Sequence, residues 1–130
     1  MKIYLSARYS EQGLMRLRRE ELQDNGHEVT SRWLDEKYKS FEEVATREEV
    51  LEIAIRDLDD IYACDVLIAF TYGGKTTHGV RFHEQGYAQA LNKELWLVGE
   101  PENCMQELFN LKFDDWNDVV VHAICCEALL

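Results

Sequence analysis

The sequence predicts an α/β domain: a doubly wound, mostly parallel sheet of five strands with helices on both faces. Three observations carry that prediction. Apolar runs of strand length alternate with helical periods in the order β-α-β-α-β-α-β-α-β-α, and such alternation joins parallel strands through crossover helices. The run Val66-Leu67-Ile68-Ala69-Phe70 is continuously apolar, as a strand covered on both faces of a parallel sheet must be. The chain has 130 residues, 46% of them hydrophobic, which suits one packed domain over residues 1–130 and not two.

Lys2 to Ser6 alternates and ends in the small pair Ser6-Ala7, so it reads as a short buried strand opening into a loop. Ser10 is the expected N-cap of the first helix, Leu14, Met15, Leu17 and Leu22 its apolar face, and Asn25-Gly26 its stop signal. His27 to Thr30 follows as the second strand. Residues 31–44 hold Trp33, Leu34, Tyr38 and Phe41 among charges without a clean period, and read as a loop with a short helical turn. Thr46 opens the second helix, where Val50, Ile53, Ala54, Leu58 and Ile61 recur at helical spacing up to Tyr62. Beyond the central strand come a polar loop from Thr71 to Gly79, a helix from Val80 to Asn92 and a strand from Leu95 to Val98. A helical segment from Asn103 to Phe109, an edge strand from Leu111 to Phe113 and a terminal helix from Asp115 to Leu129 complete the order.

Charge narrows the function. The chain carries 14 Lys+Arg against 25 Asp+Glu, a net charge of −11, and so repels a phosphate backbone over most of its surface; a nucleic-acid polymer is excluded as partner. No apolar run approaches the roughly 18 residues that span a membrane, and Met1 to Leu5 runs into a charged segment without the pattern of a signal peptide. The four cysteines form no CxxC pair and read as reduced thiols. No membrane partner and a cytoplasmic location are therefore expected.

In a doubly wound sheet, ligands bind beyond the carboxyl ends of the strands at the point where strand order reverses. Two loops meet that description. The first, Ser6 to Ser10, offers Ser6, Arg8, Tyr9 and Ser10; the second, Thr71 to Glu84, offers Lys75, His78, Arg81, His83 and Glu84. A carboxylate in the first turns of a helix feels its positive end, which favours the ionised form. Glu84 is thus either a nucleophile or electrostatic stabiliser, or a solvated surface glutamate. Asp57 could orient a partner or be surface charge like Asp59 and Asp60. Asp65, at the amino end of the central strand, reads as a cap or turn residue. The patterns GxGxxG, GxxxxGK[ST] and GxSxG are absent, and no cofactor is expected. His78, His83 and Glu84 are close in sequence, but His83 and Glu84 point about 100° apart on a helix, and no metal is expected.

The stretch Arg56-Asp57-Leu58-Asp59-Asp60-Ile61-Tyr62-Ala63-Cys64-Asp65 leads into the central strand, and Glu84-Gln85-Gly86-Tyr87-Ala88-Gln89-Ala90-Leu91-Asn92-Lys93 follows the loop. Together they resemble the D-x(7)-D-strand and E-x-G-x-A-x-A-x-x-K pattern of the nucleoside 2-deoxyribosyltransferase-like family, which includes the deoxynucleoside 5′-monophosphate N-glycosidases. Lys2-Ile3-Tyr4-Leu5-Ser6-Ala7 and Gly26-His27-Glu28-Val29-Thr30-Ser31-Arg32-Trp33 are similar to its small members. The resemblance implies a flavodoxin-like, Rossmann-like fold. It implies cleavage or exchange of the N-glycosidic bond of a nucleoside or nucleoside 5′-monophosphate through a covalent glycosyl-glutamate. By motif match Glu84 is the nucleophile, Asp57 assists near the base or the glutamate, and Tyr4 contacts the nucleophile.

The resemblance also implies a homo-oligomer whose sites borrow a residue from a neighbouring copy, and Glu100-Pro101-Glu102-Asn103 matches the contributing region, with Asn103 the candidate. The chain departs from the pattern where many transferases read Asp-Gly-Thr: here stands His78-Gly79-Val80. Where small relatives read G-R-H-V-E, it has Val80-Arg81-Phe82-His83-Glu84. Arg8, Lys75 and Arg81 put cations on the two site loops of an acidic chain, which suits an anionic substrate group such as a 5′-phosphate, or balances surface charge. Ser6, His78 and Gly79 complete the expected substrate-binding set. Closure of the loop from Thr71 to Gly79 would exclude water and decide between transfer and hydrolysis. The altered His78 and Phe82 positions also admit an alternative, a catalytically silent nucleotide-binding or sensing module of the same fold. A protein-interaction role for the acidic surface is a third reading.

Overall fold

The computed structural model describes residues 1–37, 46–73 and 79–128. Its centre is β3 (Val66–Phe70), whose five side chains are all buried. On one side β3 pairs with β1 (Lys2–Ser6), in the register Ile3 to Val66 through Ser6 to Ala69. On the other it pairs with β4 (Glu94–Val98), in the register Val66 to Glu94 through Phe70 to Val98. The short strands β2 (Glu28–Val29) and β5 (Leu111–Phe113) close the two edges. The order is β2-β1-β3-β4-β5, and every pair is parallel. The chain steps outward from β1 to β2, then returns past β1 to β3, so the reversal falls between β1 and β3.

Two helices cover each face. α1 (Gln12–Asp24) and α4 (Trp116–Ala128) share one, joined where Trp116 Nε1 donates to Glu21 Oε2 at 3.1 Å. α2 (Arg47–Ala63) and α3 (Val80–Ala90) pack together on the other. Among the described residues, no helix is long and apolar enough to cross a membrane.

Local signals explain most boundaries. Thr46 caps α2 by accepting from the Glu49 amide at 3.2 Å, and Gly26, at φ 87°, ends α1 in the left-handed conformation that glycine adopts without a Cβ clash. Asp65 is a turn residue, accepting from the Lys2 amide at 2.9 Å at the amino end of the sheet. Three expectations need correcting. Ser10 does not cap α1: it lies within a 3₁₀ turn, Tyr9–Glu11, that precedes the helix. Leu14 and Leu17 are exposed, and α1 buries Met15 and Leu22 instead; the positions between these two are filled by Arg18, which lies against Trp116, and Arg19, which pairs with Asp35. α3 stops at Ala90, because Asn92 takes a left-handed φ of 59°.

After β2, a 3₁₀ turn at Arg32–Asp35 buries Trp33 and Leu34. It is stitched to the strand and helix beside it: Trp33 Nε1 donates to the Leu5 carbonyl at 2.9 Å and Arg16 Nε to the Leu34 carbonyl at 2.7 Å. The readings made for Tyr38 and Phe41 fall on 38–45, outside the described residues.

Candidate active site

Tyr4 and Ser6 are two residues apart on β1, so both side chains leave the same face of the sheet. That face meets α3, which is preceded by the capping residue Gly79 at a left-handed φ of 78°. Glu84 lies in the second turn of α3 and is buried against the strand. The Tyr4 hydroxyl donates to Glu84 Oε2, and Ser6 Oγ donates to Oε1 at 3.5 Å. Tyr4 and Ser6 are themselves without exposure, so they form a floor beneath the carboxyl.

Asp57 comes from α2. With Glu84 it lines a cavity of about 340 Å³, completed by Ala54, Leu58, Gly79, Val80 and His83. That volume falls within the roughly 300–1,000 Å³ of small-molecule sites. The walls are largely apolar, and the two carboxyls are the acidic groups among the lining residues.

Burial governs the electrostatics. It pushes the Glu84 carboxyl up to about 8; the Tyr4 bond pulls down, the Asp57 charge pushes up, and Ser6 and Arg81 pull down. The expectation that the helix end would favour the ionised form is thereby overturned. The dipole acts mainly within the first turn, whereas Glu84 sits in the second and is out of water. Burial likewise lifts Asp57 to about 6, against the pull of the Arg56 guanidinium. Burial, and then the Glu84 charge, raise the Tyr4 phenol well above its ordinary range. Burial thus favours a proton on Glu84 more strongly than on Asp57.

The remaining expected residues are distributed unevenly. Gly79 lines the cavity. Arg8 stacks its guanidinium on Tyr72, 3.7 Å from the ring centre, and its amide donates to the Tyr72 hydroxyl at 3.3 Å. Arg81 is buried and directed elsewhere: it donates to the Phe70 carbonyl at 2.9 Å and to both carboxylate oxygens of Glu102, at 3.0 and 3.4 Å. Asn103 accepts from the Gln106 amide at 3.0 Å, capping the 3₁₀ turn Cys104–Leu108. It lines a separate groove with Phe82, Gln85, Gly86 and Gln89, the opposite face of α3 from Val80, His83 and Glu84. Lys75 and His78 lie outside the described residues. Among the described residues, no three His, Cys, Asp or Glu side chains gather as a metal-ligating group.

Sequence reasoning missed the rim of the cavity and the support of Asp57. Ala54 and Leu58 read as ordinary positions of an apolar helix stripe, and Val80 as no more than the start of a helix. One signal was available: Asp57 lies in the same i, i+3, i+4 stripe as Ala54, Leu58 and Ile61, and a carboxyl set in an apolar stripe marks a partly buried acid. Glu36, an ion-pair partner of Arg56 at 3.4 Å, carried no such signal.

No family model matches the chain, and no curated protein matches it in sequence. Solved structures do. A 2-deoxyribosyltransferase from the psychrotolerant bacterium Bacillus psychrosaccharolyticus superposes with a TM-score of 0.75 at 25% identity, over 92% of this chain and 90% of that one. The CMP N-glycosidase BcmB of Clostridium botulinum superposes with a TM-score of 0.55 at 19% identity, over 100% of both chains, a likeness of fold. These neighbours match the family that the sequence resembles, and the chain has the fold of the nucleoside 2-deoxyribosyltransferase-like proteins.

Proposed function

We propose that the chain cleaves or exchanges the N-glycosidic bond of a (deoxy)nucleoside or nucleoside 5′-monophosphate, with Glu84 as nucleophile. The observation that carries this reading is the carboxyl of Glu84 held from beneath by Tyr4 and Ser6 while lining a cavity shared with Asp57. A glycosidic carbon losing its base develops positive, oxocarbenium-like charge, and a fixed carboxylate both stabilises that charge and bonds to it. In the first step Glu84 forms a bond to the anomeric carbon, the carbon–nitrogen bond breaks, and its electron pair leaves with the base. The base gains a proton, and Asp57 supplies it. Burial favours a proton on Glu84 more than on Asp57. Moved from Glu84 to Asp57 on the way to the base, it frees the nucleophile and serves the leaving group. Water or a second base then releases the sugar, with Asp57 acting in reverse.

The Tyr4 hydroxyl keeps Glu84 Oε2 in place and steadies its anion. Arg81 is neutralised by Glu102, so of the two candidate arginines Arg8 is the better placed for an anionic substrate group. The apolar side chains of Leu51, Ile55, Leu58 and Tyr62 recur along the exposed face of α2, next to exposed Val80 at the cavity mouth. A second copy of the chain covers that face in this reading, and Asn103 acts in a neighbour's site rather than its own.

The experiment is to incubate the protein with a panel of nucleosides and their 5′-monophosphates, with and without an acceptor base, and to follow free and exchanged base by chromatography. Release or exchange that disappears in Glu84→Ala supports the reading. No product from any substrate, with Glu84→Ala indistinguishable from the parent, removes it.

A further inference from the structure

Asp57 is held by something the reaction itself does not use. Arg56 and Asp57 are neighbours on α2 and leave the helix about 100° apart. The guanidinium nevertheless folds back, placing Nη2 3.3 Å from Asp57 Oδ1. The same nitrogen lies 3.4 Å from Glu36 Oε2, the far side of a three-membered chain.

Glu36 is well anchored for that purpose. It follows the Arg32–Asp35 turn, its side chain is 9% exposed, and its carbonyl accepts from the Tyr9 hydroxyl at 3.3 Å and from Gln12 Nε2 at 3.0 Å. Arg56 is about a quarter exposed. The pair is mostly buried, and burial of the Glu36 carboxyl opposes its charge, which offsets much of what the attraction gains. Stability alone is a weak account of the arrangement.

The groups that face Asp57 show why it matters. Arg56 and Asp60 share its helix, Glu36 approaches from the segment before 38–45, Glu84 and His83 come from α3, and Tyr4 from β1. Asp60 is occupied by Arg32, through its amide at 3.0 Å and Nε at 2.8 Å. Among the described residues, Arg56 is therefore the cation in contact with Asp57, set against several acids.

We propose that Arg56, clamped by Glu36, is a positioning residue for Asp57, and that the balance between the Arg56 guanidinium and the Glu36 carboxylate sets how readily Asp57 gives and takes its proton. The proposal rests on the function assigned above, since it gives Asp57 a proton to handle. It also makes a prediction of sign that a structural role does not share. Removing the positive charge favours the protonated acid, whereas removing the Glu36 charge favours the carboxylate.

The test titrates the Asp57 carboxyl carbon by NMR in protein labelled at aspartate, assigned with Asp57→Asn, in parallel with the pH profile of kcat for base release. In Arg56→Gln the Asp57 midpoint is expected to rise by about one pH unit, in Glu36→Gln to fall, and in Arg56→Lys to return towards the parent. The limb of the kcat profile moves with it, in the same direction as the midpoint in each variant, with KM little changed. A midpoint unmoved in both Gln variants, or moved in the same direction in both, overturns the proposal. Midpoints that move in opposite directions in a protein that releases no base from any substrate leave the coupling standing and overturn the function instead.

Discussion

The phenol of Tyr4 donates to the carboxyl of Glu84 in a contact from which water is excluded, the two residues lying 80 positions apart in the chain. Tyr4→Phe keeps the shape of the ring and removes the donor. Glu84 Oε2 is left unsatisfied, at a cost of about 1–3 kcal/mol of stability. The tyrosine bond draws the Glu84 pKa down, so its loss moves the alkaline midpoint of Glu84 higher. Denaturant unfolding and the pH profile of activity check the two effects.

Asp57→Asn preserves size and removes the proton that the departing base needs. General acid catalysis of this kind contributes about 10²–10⁴-fold, and a fall of that order in kcat is expected. Substrates whose base leaves readily without protonation should be spared most of the loss. An equal loss for every substrate, whatever its leaving group, argues against the assigned role.

Stability should decline as pH rises from about 4 to about 8. Both acids have folded-state pKa values, about 6 for Asp57 and about 8 for Glu84, above their ordinary ones of 3.8 and 4.5. The folded protein therefore keeps protons that the unfolded chain has released. The contribution is fully present below the unfolded pKa values and is lost as pH climbs through the folded ones. Glu84→Gln, uncharged at every pH, should flatten the slope and be more stable than the parent at pH 8 while inactive. Thermal unfolding across that pH range measures it.

A charge on the apolar face of α2 should disperse any assembly that forms there. Ile55 is exposed and is not among the cavity-lining residues. Ile55→Asp is expected to halve the mass seen by light scattering, if the parent is a dimer, and to leave the circular dichroism of the fold unchanged. An unaltered mass places the interface elsewhere.

Much of the fold was legible in the sequence because its signals are local. The run from Val66 to Phe70 announces a strand covered on both faces, and Thr46 with Glu49 announces a helix start. Leu14 and Leu17 misled because helix period identifies an apolar stripe but not which stripe the tertiary packing selects; here Met15 and Leu22 won, with arginine stems between them. The site was legible through the pattern that joins Asp57 and Glu84. Its electrostatics were not. Glu84 looks like a solvated helix-end acid until β1 is laid against it, and desolvation is a property of the assembled core. Glu36 and Arg56, twenty positions apart, share no period or motif.

The floor and the rim of the cavity come from different parts of the protein. Tyr4 and Ser6 lie in the buried sheet, whereas Ala54, Leu58, Val80 and His83 project from helices at the surface. Substitutions at the rim should therefore cost folding little, while those at the floor cost it heavily. Such a scaffold can change its preferred base or sugar over evolutionary time, or in a directed library confined to those four positions, without rebuilding the chemistry beneath.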